Sequence, residues 1–148
     1  MVIQTKYLGE MEIVEDKIIY FESGLPGFSN ENKFVILDIP GNDMIQILQS
    51  IQTAELAFMV TNPHYFYQNY HFKLDEHIIE TLQITEEKDI VVLSIMTIQE
   101  PFHLSTINLQ APLLINLQNK RAKQFILPHD TYEVKAKISS PAINERGV

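Results

Sequence analysis

The chain contains no cysteine, which removes disulfides, thiolate metal sites and a cysteine nucleophile. Cations are scarce as well: eleven Lys and Arg stand against nineteen Asp and Glu, a formal net charge of −8. A domain of that sign repels phosphate backbones, so direct nucleic-acid binding is not expected. No apolar run approaches the roughly 18 residues a membrane helix needs. Met1-Val2-Ile3 leads straight into Gln4-Thr5-Lys6, with no apolar segment behind a basic start, and the expectation is a cytoplasmic protein. His64, His71, His77, His103 and His129 fall in no zinc spacing. A GxSxG elbow and a glycine-rich phosphate loop ending in Lys are also missing. Glu86, Glu87 and Asp89 share a turn, but nothing near them suggests a desolvated acid–base pair. The sequence therefore predicts a chain without catalytic residues, metal or cofactor.

What is present is a 148-residue chain, 45% hydrophobic, enough for one domain with its own core. Its charge is uneven. Residues 1–116 carry −11 and residues 117–148 carry +3. Glu10, Glu12, Glu15, Asp16 and Glu22 are the densest acidic stretch. They are either solvated strand faces and turns or an acidic face that steers a basic partner.

The hydrophobic period is mostly two. Strands are predicted at Gly9–Ile13 and Lys17–Phe21, joined by the acidic turn Val14-Glu15-Asp16, and at Phe34–Ile39, stopped by Pro40-Gly41-Asn42-Asp43. Met44–Ile51, Leu56–Val60 and Asp89–Thr97 follow, the last β-rich and central. Phe102–Asn108, Pro112–Asn116, Arg121–Ile126 and Glu133–Ile138 complete about ten short strands. One helix is predicted near Asp75–Leu82. Asp75 is its N-cap, Ile78, Ile79 and Leu82 form its apolar face, and Leu74 with Ile79 forms a hydrophobic staple. A shorter helical turn is predicted at Pro63–Tyr67. The fold class is all-β: a small antiparallel sandwich or barrel-like domain over residues 1–138, with a loosely held tail at 139–148.

Three stretches stand out. In Phe21-Glu22-Ser23-Gly24-Leu25-Pro26-Gly27-Phe28, the glycines permit positive φ and Pro26 fixes its own. Phe21 and Phe28 are expected to anchor both ends in the core. The loop is rigid, and serves either as a tight connection or as an exposed binding loop of fixed shape. Asn62–Tyr70 packs four aromatics after a strand, as core or as interface. In Ser105–Asn116, Thr106, Asn108, Gln110 and Asn116 flank apolar residues around Pro112. They form either an ordinary strand corner or a polar edge that reads another chain's backbone.

These stretches, in this order, resemble the flagellar assembly factor FliW family, from about Thr5 to Ile138. The resemblance is carried by Gly9-Glu10, Gly24-Leu25-Pro26-Gly27-Phe28, Leu48-Gln49-Ser50, Asn62-Pro63, Tyr70 and above all Thr106–Asn116. It implies a small β-barrel-like, non-enzymatic regulator with two cytoplasmic partners. One is flagellin, the filament subunit, which such a protein would chaperone. The other is CsrA, the RNA-binding repressor of flagellin translation, antagonised allosterically. Flagellin that accumulates would occupy the regulator and free CsrA to repress; flagellin export would reverse this. The residues expected to bind partners are Gly24, Leu25, Pro26, Gly27, Phe28, Thr106, Asn108, Gln110 and Asn116. A β-barrel carrier of a small ligand is the alternative. It needs an open apolar interior, which the many large Ile, Leu and Phe residues argue against.

Overall fold

The computed structural model describes residues 1–128 and 131–138. The predicted tail at 139–148 and His129 lie outside them. Eleven strands are described: β1 (Val2–Gln4), β2 (Glu10–Glu12), β3 (Ile19–Phe21), β4 (Lys33–Ile39), β5 (Asn42–Ser50), β6 (Ala57–Thr61), β7 (Ile90–Thr97), β8 (Thr106–Ile107), β9 (Leu113–Asn116), β10 (Arg121–Gln124) and β11 (Ala136–Lys137). One α-helix, α1 (Glu76–Leu82), precedes β7. The helical turn after β6 is a 3-10 turn at Pro63–Tyr65.

Seven strands close a ring in the order β3-β4-β5-β6-β7-β9-β10 and back to β3. Six of the seven junctions are antiparallel. The seventh, β10 against β3, is parallel, with Arg121 opposite Tyr20 and Ala122 opposite Phe21. An odd number of strands alternating in direction cannot close without one parallel junction. The predicted antiparallel barrel is thus observed with one parallel seam. β7 is the hub, paired with β6, β8 and β9.

Alternation puts Ile19, Phe21, Phe34, Leu48, Val60, Leu93, Leu113, Ile115 and Ala122 into one buried cluster inside the ring. Phe21 and Phe34 meet edge to face at 5.4 Å. The opposite faces are apolar too, so they need cover. Val35, Leu37 and Ile47 lie beneath the β1–β2 hairpin, through Ile3 and Ile13. Leu114 lies beneath α1, through Ile78 and Leu82. Ile45, Met96 and Ile107 pack with Tyr70, the last of the predicted aromatic run.

Several local expectations change. The sequence reading joins the second and third strands by a turn, but β2 pairs with β1 and β3 with β4 and β10. β1 itself was not predicted. Asp75 caps α1 by accepting from the Ile78 amide at 2.8 Å. Ile79, however, is 36% exposed, while Leu74 packs with Ile78 and Leu82. The predicted staple is absent because the turn's inward stripe runs through Ile78 rather than Ile79. The predicted strand Phe102–Asn108 shortens to Thr106–Ile107, behind a 3-10 turn at Phe102–Leu104.

Candidate functional site: the loop-bearing end of the barrel

Chain direction decides which loops share an end. The ends of β3, β5, β7 and β10 and the starts of β4, β6 and β9 lie together. Loop 22–32, turn 51–56 and the excursion 98–112 therefore occupy one mouth of the barrel. The structure thus brings Gly24–Phe28 and Thr106–Gln110 to the same end. Asn116, at the far end of β9, is at the opposite one.

The loop after β3 is held at both ends. Gly24 donates to the Phe21 carbonyl at 2.8 Å, and Phe28 donates to that of Leu25 at 2.7 Å. Gly24 and Gly27 adopt φ of 65° and 85°. A Cβ on Gly24 would stand 2.5 Å from the Phe28 carbonyl oxygen, whereas one on Gly27 would meet nothing. Leu25 is buried in the barrel core. Phe28 departs from the expected core anchor: it is 42% exposed, its ring edge to face with Phe58 at 5.9 Å. The loop thus holds one large aromatic at the surface while Phe21 and Leu25 supply the anchoring.

Glu31 fastens this loop to the neighbouring turn. Its carboxylate accepts from the hydroxyls of Ser50 and Thr53, each at 2.6 Å. Gln52 accepts from the Asn32 amide at 3.0 Å. Gln49 is fully buried, accepts from the Lys6 amide and donates to the Ser50 and Ala54 carbonyls. The Leu48-Gln49-Ser50 motif is thereby explained as a clamp between strand, turn and N-terminal segment.

The corner at 106–112 is equally constrained. Asn108 Oδ1 accepts from the Gln110 and Ala111 amides at 3.1 and 3.0 Å, an Asx turn ahead of Pro112. Gln124 donates to the Ala111 carbonyl at 3.0 Å, and the Tyr70 hydroxyl to that of Leu109 at 2.7 Å. Burial, with Tyr132 as the lesser cause, holds the Tyr70 hydroxyl well above the usual tyrosine range. Thr106, Asn108 and Gln110 are half-buried. Asn116 is 1% exposed and donates to the Leu82 and Gln83 carbonyls, closing the C-terminus of α1.

Sequence reading passed over the excursion between β7 and β8. Ile98, Phe102 and Leu104 are exposed there, at the same end as Phe28. Their apolar pattern reads as strand, and only the 3-10 turn turns them outward. The only available signal was Glu100-Pro101, where Pro101 cannot donate to a ladder.

Among the described residues, no group of three or more His, Asp or Glu side chains stands close enough to hold a metal ion. No described helix is long and apolar enough to cross a membrane. The barrel interior is occupied by its own side chains. An open cleft of about 770 Å³ lies outside it, between His71–Glu76 on one side and Leu127, Pro128, Thr131 and Tyr132 on the other.

A closed, side-chain-filled barrel with rigid loops gathered at one end defines the fold class. The FliW protein family matches residues 2–138. A flagellar assembly factor FliW of Oceanobacillus iheyensis is 49% identical over 145 residues, 98% of this chain and 99% of that protein. The one from Bacillus subtilis strain 168 is 46% identical over 135 residues, 91% of this chain and 94% of that protein. A crystal structure of the flagellar assembly factor FliW superposes with a TM-score of 0.89 at 40% identity, covering 93% of this chain and 96% of that one. The chain belongs to the FliW family.

Proposed function

We propose that this chain is a cytoplasmic, non-enzymatic flagellar assembly factor that works by exchanging two protein partners, flagellin and CsrA. Bound to flagellin, it acts as a chaperone and leaves CsrA free to repress flagellin translation. Released from flagellin, it holds CsrA away from that task without occupying the RNA surface. The observation that carries the reading is near full-length similarity to flagellar assembly factors, 49% identical over 98% of the chain.

The geometry supports it. The loop-bearing end presents Phe28, Ile98, Phe102 and Leu104 on a backbone fixed by hydrogen bonds. Rigid exposed apolar and aromatic side chains suit a protein interface, because little entropy is lost on docking. Loops 22–32, 51–56 and 98–112 contain Glu22, Glu31, Glu55 and Glu100 but neither Lys nor Arg. This favours a partner that presents a basic surface there. The filled interior speaks against the carrier alternative. Exchange needs no chemistry: a partner at a hundredfold excess over its Kd shifts an equilibrium by about 2.7 kcal/mol.

Titration calorimetry of the full chain against purified flagellin and purified CsrA tests the reading. Saturable binding to each is expected. Phe28→Ala and Gln110→Ala should each weaken one partner by roughly tenfold to hundredfold while keeping the far-UV circular dichroism of the wild type. Wild-type binding to neither protein would sink the function. Unchanged affinities in both variants would sink only the site.

A further inference from the structure

The barrel wall has one stretch left exposed at Tyr20 and Lys33, and its chemistry is opposite to that of the molecule. The β1–β2 hairpin covers the outer faces of β4 and β5, and α1 covers that of β9. Between them, the outer face of β3 is open, and that of β10 runs alongside the end of α1. Tyr20 stands at its centre, 42% exposed. The ladder places Lys33 directly opposite Tyr20 on β4 and Arg121 directly opposite it on β10. Residues directly opposite share a face, so a cation, an aromatic and a cation form one row across three strands. Lys123 lies two residues along β10 on the same face, and Lys120 immediately precedes that strand. Three of the chain's eleven Lys and Arg thus share this face on a protein of net charge −8, while the Lys120 ammonium is held by the Leu117 carbonyl at 2.8 Å. Glu22, just beyond β3, is held by Arg121 at 3.6 Å. Arg121 also reaches the Thr81 carbonyl at 3.5 Å, against the end of α1.

We infer that the Lys33–Tyr20–Arg121 row is a second docking surface, and that its occupant is an extended acidic segment of a protein partner. Charge selects the sign. Neighbouring strands lie about 4.8 Å apart, so the row spans roughly 10 Å. Alternate carboxylates on an extended segment are about 7 Å apart, within the reach of two flexible cationic side chains. Tyr20 between them offers a face for the apolar residues that alternate with the carboxylates. The net negative charge opposes a polynucleotide more than such a segment, because a polynucleotide carries a charge on every residue and the segment on alternate ones. This surface lies on the outer wall and adjoins the loop-bearing end at Lys33, and the inference does not depend on which proteins bind at that end.

The test is an amide chemical-shift titration of the isotopically labelled full chain at low salt. The probes are acetyl-Glu-Leu-Glu-Leu-Glu-Leu-amide, its Lys-for-Glu counterpart and an eight-residue oligouridylate. The acidic peptide should give saturable shifts centred on Tyr20, Lys33, Arg121 and Lys123, and the lysine peptide none there. Lys33→Glu and Tyr20→Ala, both at exposed positions, should each weaken the acidic peptide at least about threefold with unchanged melting, and Lys33→Arg should retain it. Absent shifts, shifts centred elsewhere, or indifference to Lys33→Glu would overturn the inference. Tighter binding of the oligouridylate at the same amides would also overturn it, by making the row a nucleic-acid surface.

Discussion

Gly24 and Gly27 differ in what holds them. Both need a left-handed backbone, which costs an L-residue about 1–2 kcal/mol, but only at Gly24 would a side chain strike the Phe28 carbonyl. Gly24→Ala is expected to melt well below Gly27→Ala in differential scanning calorimetry; equal shifts would mean that backbone strain alone matters. Tyr70 makes a second prediction. Its hydroxyl is buried, donates to the Leu109 carbonyl, and ionises well above the ordinary value near 10. The neutral form is the one the fold favours. Its contribution is therefore complete below about pH 10 and lost as pH rises beyond it toward the folded-state value. Melting temperature should fall between pH 10 and 12, and Tyr70→Phe should flatten that fall while lowering the plateau. An equally steep fall in the variant would place the alkaline lability elsewhere. At this scale the sequence is readable where chemistry is local. The glycines and the Asp75 cap each act within a few residues, whereas Asn108, expected to bind a partner or to stand at a strand corner, makes an Asx turn. Phe28 stands outside the core because Phe21 and Leu25 fill it, and its ring packs on Phe58, thirty residues away.

Elements depend on longer reach. α1 has only seven residues, too few to persist alone. It is held by Asp75 at its start and by Asn116 and Asn119 side chains on the Leu82 carbonyl at its end. Asn116→Ala should destabilise the chain by about 1–3 kcal/mol, because buried carbonyls lose their donor. It should leave partner affinity near wild type, since Asn116 is sealed from solvent at the opposite end from Phe28. A variant that melts normally but loses a partner would restore Asn116 to the binding surface. The helix and most strands were legible from period and punctuation. The 3-10 turn at Phe102–Leu104 was not, because its apolar residues alternate as a strand would.

For the whole molecule, the information missing from the sequence is closure. Period-two patterning fixes which residues face inward on each strand, but not that β10 returns to β3. Once seven strands alternate, a parallel seam is forced, and with it the gathering of two separated loops at one mouth. Charge acts at this scale too. Residues 1–116 carry −11, so the association rate with CsrA should fall as ionic strength rises, exposed charges being screened beyond about 8 Å at physiological salt. A stopped-flow rate constant flat from low to high salt would assign the acidity to solubility alone.

The exchange of partners is the centre of the account, and a displacement titration tests it most directly. Fluorescently labelled CsrA is bound to the full chain, and flagellin is added while anisotropy is followed. Flagellin should release CsrA progressively, returning the signal to that of free CsrA at excess. CsrA that stays bound at saturating flagellin, or that never forms a complex, would contradict the account.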